Sequence, residues 1–156
     1  MAVMKWASIL AMLLLCVAGC GAKAPDLSGN WQLDVAKSNW GKVRKPIGVS
    51  IEIRHDEPVL KYSGTVVDAQ GESRGFSFEG AIDGREYPAH ETFADGKIVF
   101  ERKPGNVIAS TFLSADGMVT ETAETSVSAD GKTLTRRIRL KRPGSDLSWT
   151  ERYERR

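Results

Sequence analysis

The sequence predicts an all-β fold, an antiparallel up-and-down β-barrel of about nine or ten strands. Three observations predict it. Turn-forming pairs recur roughly every 10–15 residues, too close together for helices. Apolar residues between them alternate with polar ones, the period of a half-buried strand. The last two segments pair without conflict in one register only.

The first element is a leader. Met1, Ala2, Val3, Met4 and Lys5 carry one positive charge, and an apolar stretch runs from Trp6 to Val17. It is too short to span a bilayer, which takes ~20 helical residues, and fits a signal peptide instead. Val17-Ala18-Gly19-Cys20 resembles the lipobox of bacterial lipoproteins at every position. The resemblance implies cleavage before Cys20, diacylglycerol on its thiol and an acyl chain, such as palmitate, on the new N-terminus. At roughly 0.8 kcal/mol per buried CH₂, several chains hold a protein stably on a membrane. Gly21 in place of Asp implies the outer membrane, by the sorting rule of enteric bacteria. The expected organisation is a signal peptide over 1–19, lipidated Cys20 and tether over 20–26, and a barrel over 27–156. Cys16 leaves with the leader and Cys20 is consumed, so no disulfide, thiolate metal site or Cys nucleophile is expected.

The mature chain is the size of one domain. Lys and Arg total 22 against 20 Asp and Glu. That near balance argues against nucleic acid as a partner.

The body follows as a meander. Turns are expected at Asp56-Glu57-Pro58, residues 68–71, Asp83-Gly84, Asp95-Gly96, Pro104-Gly105-Asn106, Asp116-Gly117, Asp130-Gly131 and Pro143-Gly144. Val49, Ile51 and Ile53 share one strand face, and Phe76, Phe78 and Ile82 another. Gly64, Gly75 and Gly80 allow the bending a small barrel needs. One helical turn is expected near residues 36–39. The final hairpin sets Leu140 against Leu147, Ile138 against Trp149, Arg136 against Glu151 and Leu134 against Tyr153. Each pair matches apolar with apolar or plus with minus. Before it, Asp130-Gly131 suits a two-residue type I′ turn, with a Gly-bulge loop as the competing geometry. With the two-residue loop, Leu134 meets Val127, Ile138 meets Ala123 and Arg137 meets Glu124.

Gly29-Asn30-Trp31 resembles the G-x-W that opens lipocalins and related calycin barrels. With Asp34, Lys37-Ser38 and Asp83-Gly84-Arg85-Glu86-Tyr87-Pro88, the chain is similar to small secreted bacterial lipocalin-like proteins. The resemblance implies a barrel in which Trp31 closes one end beside a basic residue near the C-terminus, either Arg152 or Arg155. The chain departs from the lipocalin pattern in its larger number of strands and its lack of a final helix.

No motif carries catalysis. Gly71-Glu72-Ser73-Arg74-Gly75 matches G-x-S-x-G in letters but lacks the strand before and helix after that a nucleophile elbow needs. Gly131-Lys132-Thr133 has Ser126 where a phosphate loop requires Gly. His55 and His90 are isolated, and only His90, near Tyr87 and Phe93, suggests a haem ligand on a barrel. No enzyme activity, metal or cofactor is expected.

Arg136 and Glu151 are charges on faces that otherwise read as buried. They form either a cross-strand ion pair or an anchor for a carboxylate head group, which a guanidinium binds bidentately. Trp149, Tyr153, Tyr62, Phe76, Phe78 and Phe100 face inward with them. The sequence thus predicts a membrane-anchored lipoprotein whose barrel binds a small apolar or amphipathic ligand. The alternative is a solid barrel whose outer surface meets a protein partner in the bacterial envelope.

Overall fold

The computed structural model describes residues 26–92 and 94–156. The leader, Cys20 and the tether before Asp26 lie outside the described residues. The ten strands are β1 (Gly29–Leu33), β2 (Gly48–Asp56), β3 (Val59–Val67), β4 (Ser73–Ala81), β5 (Glu86–His90), β6 (Asp95–Lys103), β7 (Val107–Ser114), β8 (Thr120–Val127), β9 (Thr133–Arg142) and β10 (Ser145–Arg155). Each pairs antiparallel with its neighbours in sequence, and β1 pairs with β10 to close the barrel. The all-β up-and-down barrel is therefore the fold, a closed ring in which the β4–β5 seam is the shortest, with two paired positions.

The last hairpin has the anticipated register. Leu140 faces Leu147, Ile138 faces Trp149, Arg136 faces Glu151 and Leu134 faces Tyr153. β8 meets β9 with Ala123 opposite Ile138 and Glu124 opposite Arg137. A slip by one residue would turn every one of these side chains to the other face, which is why the pattern fixes the register.

Three expectations of local structure are refined or corrected. The helical turn expected near residues 36–39 forms over residues 34–38 as a single i→i+4 turn that does not continue into a helix: Asp34 O accepts from Ser38 N (3.1 Å) and Ser38 Oγ (2.7 Å). The hairpin at Asp130-Gly131 is not type I′, which needs positive φ at both central residues. Only Gly131 has it (φ 70°), and its N–H donates to Ser128 O at 2.8 Å, so the competing Gly-bulge loop forms. Asp95-Gly96 is no turn but the start of β6. Gly96 is there for clearance: a Cβ would lie 2.2 Å from Leu113 O and 2.8 Å from the Phe112 ring.

The barrel is closed at one end. Trp31, Leu27, Leu60, Ile108 and Leu134 are each at most 2% exposed there. Trp31 Nε1 donates to Leu27 O at 2.8 Å, and the Arg155 guanidinium stacks 4.4 Å from its ring centroid. The structure thus selects Arg155 over Arg152. Arg155 Nε also donates to Gly131 O at 2.6 Å and its Nη1 to Ser28 O, tying both chain ends and the β8–β9 loop together. A Cβ on Gly29 would strike that guanidinium at 2.5 Å. The Gly-x-Trp motif is a closure device.

Candidate functional site

The opposite end is open. A cavity of about 420 Å³ enters between residues 40–46 and the β3–β4 turn at 68–70, and descends to mid-barrel. Its walls are apolar: Trp40, Val49, Val66, Phe76, Ile138, Leu140 and Leu147. The mouth carries Lys42, Arg44 and Arg142, all exposed. Asn39 fixes the entrance segment by exchanging backbone bonds of 2.8 Å with Thr150, while Trp40 Nε1 donates to Val35 O at 3.1 Å. The Asp34-Lys37-Ser38 motif makes the turn that launches this segment, with Lys37 N donating to Asp34 Oδ1 at 2.9 Å.

The floor is a polar cluster built by alternation on four strands and one loop. Arg136 on β9 lies 3.6 Å from Glu151 on β10 and 3.4 Å from Glu121 on β8. Glu151 accepts from Trp149 Nε1 at 2.8 Å and from the Tyr153 hydroxyl at 2.7 Å. Across the barrel, the Tyr62 hydroxyl of β3 donates to Glu91 at 2.5 Å. Glu91 and Thr92, just past β5, line the cavity as well.

Burial dominates the electrostatics. It lifts the Glu121 carboxyl to about 7, against the downward pull of Arg136 and with Glu91 and Glu151 pushing the same way as burial. Burial also raises Glu91, opposed by the Tyr62 hydroxyl and Arg136. Desolvation works against the Arg136 cation, but Glu151, Tyr153 and Glu121 outweigh it and hold the guanidinium charged. Burial and Glu151 push the Tyr153 phenol well up, so it stays a donor.

Arg136, Glu151, Trp149, Tyr153 and Phe76 thus come together on the cavity. Tyr62, whose hydroxyl reaches up to the floor, and Phe100 line a second void of about 50 Å³ beneath it. Phe78 packs against Phe100 (centroids 4.7 Å apart) and Tyr87 (6.0 Å), in the solid core. Glu121 and Glu91 were missed by the sequence reading. Glu121 was within reach, since the β8–β9 register sets it opposite Leu140 on the inner face. Glu91 had no signal, because it follows a short strand and precedes a segment that mimics a turn.

The remaining motifs are structural. Asp83 Oδ1 accepts from Arg85 N and Oδ2 from the Tyr87 hydroxyl, each at 3.0 Å, which shapes the β4–β5 turn. Ser73 opens β4 in an exposed position, and no helix follows. His90 is 60% exposed and bonds Asp95, away from the cavity. His55 is buried at the closed end, where its Nδ1 accepts from Leu27 N at 3.2 Å and its Nε2 lies 2.7 Å from Glu57. Among the described residues no cluster of His, Cys, Asp and Glu has the arrangement of a metal site. No helix among them is long and apolar enough to cross a membrane.

No protein-family model matches the chain, and no curated protein matches it. Among solved structures, Rv2717c from M. tuberculosis is similar at a TM-score of 0.50 and 14% identity, over 83% of this chain and 92% of that one. At that identity the likeness concerns the fold alone.

Proposed function

We propose that this chain is a lipid-anchored, lipocalin-like barrel of the bacterial envelope, held at the outer membrane through Cys20, and that it carries a small amphipathic ligand. The observation that carries the reading is the open cavity of about 420 Å³, within the range of pockets that bury small molecules. Its apolar walls suit the body of such a ligand, and its convergent polar groups suit a head. The reading is of a binder and not an enzyme. The ionisable groups of the floor are engaged with one another, and none is a nucleophile beside a free base.

The experiment is native mass spectrometry of the protein purified from the envelope, beside Val66→Trp. Val66 is half-buried on the cavity wall, so the indole would fill the space a ligand needs. A co-purified small molecule, absent from the Val66→Trp protein, supports the reading. A clean apo mass, with no uptake from a lipid panel, shifts it to an unliganded scaffold whose outer surface binds a protein partner. Labelling by palmitate that persists in Cys20→Ala would remove the anchor from the proposal.

A further inference from the structure

We infer that the cavity selects an amphipathic organic cation, a ligand with an ammonium head and an apolar tail, over a fatty carboxylate. The inference rests on the cavity being a ligand site at all, as proposed above.

Charge counting gives the first argument. One guanidinium, Arg136, is set against three carboxyl groups, Glu91, Glu121 and Glu151. Arg136 has Glu121 on one side and Glu151 on the other, at 3.4 and 3.6 Å. A carboxylate head reaching for Arg136 therefore meets two like charges at the same depth, and Glu91 across the floor. In a desolvated pocket that repulsion is weakly screened. A cation approaching from above meets the reverse. Among the described residues Glu121 has Arg136 alone as its ion-pair partner, and it keeps 23% of its side chain open. Glu91 has the Tyr62 hydroxyl on one oxygen.

The second argument is independent of charge number. Trp40, Trp149, Phe76 and Tyr153 all border the same space. Aromatic faces attract an ammonium through their quadrupoles, and surround it without the full desolvation cost of an aliphatic wall. Carboxyl groups below aromatic walls form the usual chemistry for alkylammonium recognition.

Lys42, Arg44 and Arg142 at the mouth do not reverse this. They are exposed, and salt screens such charges over about 8–10 Å. The floor groups act inside the barrel, where screening is weak.

The test is calorimetric titration of the full chain at pH 8 with octyltrimethylammonium, octanoate and octanol, which share one tail. Val66→Trp is the control, with its fold checked by thermal melting. Octyltrimethylammonium is expected to bind about tenfold more tightly than octanoate. The binding should vanish in Val66→Trp, and the preference should shrink in Glu121→Gln and in Glu91→Gln. Octanoate binding as tightly or more tightly overturns the inference, while its loss in Val66→Trp would leave the cavity reading intact. Failure of all three probes, or binding that a folded Val66→Trp leaves unchanged, overturns both.

Discussion

Arg136 is the residue on which the interior depends. Its removal would leave Glu121 and Glu151 buried with no cation between them, and breaking a buried pair from one side costs ~3–5 kcal/mol. Arg136→Ala should lose about that much in urea unfolding, whether or not any ligand is present. Glu121 behaves oppositely. Its carboxyl is raised from 4.5 to about 7, so the folded state holds its proton more tightly than the unfolded chain does. The stability this contributes is complete below pH 4.5 and is lost as the pH climbs to about 7. Glu121→Gln keeps the neutral shape at every pH. It should be more stable than the parent at pH 8 by about 1–3 kcal/mol and indistinguishable from it near pH 4, by denaturant midpoints. The sequence disclosed the Arg136–Glu151 pair because both sit on strands whose alternation and register could be read. It hid the Glu91 contribution, because a residue outside a strand has no face to be assigned to.

At the scale of elements, turns and strand partners were legible, but the kind of turn was not. Asp-Gly satisfies a type I′ turn and a Gly-bulge loop equally, and the choice falls to the bonds the flanking residues make. Here Ser128 takes both roles, its carbonyl accepting from Gly131 N and its hydroxyl from Thr133 N. Asp95-Gly96 misled for a different reason, since glycine also serves where two strands press a ring against the backbone. The closure of β1 on β10 rests on Trp31, which is 1% exposed and stacked beneath Arg155. Trp31→Ala should cost about 3–5 kcal/mol, read by chemical denaturation. Arg155→Ala should cost less, about 1–3 kcal/mol, because it loses an exposed stacking contact together with the hydrogen bonds to Gly131 O and Ser28 O.

For the whole molecule, ten strands and a closed meander could be read from punctuation and period, but not whether the interior was full. Hollowness is a difference between two large volumes, the space the strands enclose and the side chains that fill it. Alternation reports only the direction of each side chain. The lower half is packed by Phe78, Phe100, Phe112 and their neighbours, while the upper half, with the same pattern, is left open. The two ends therefore differ, and the chain enters at the closed one: Leu27 packs there beneath Trp31, and its N–H bonds His55. A barrel tethered through residues 20–26 would stand on its sealed base with its mouth turned to the water. It would draw cargo from solution, as a cup set upright on a table does, and not from the acyl chains beneath it. On vesicles containing brominated lipid, quenching should then fall on Trp31 more than on Trp40 and Trp149.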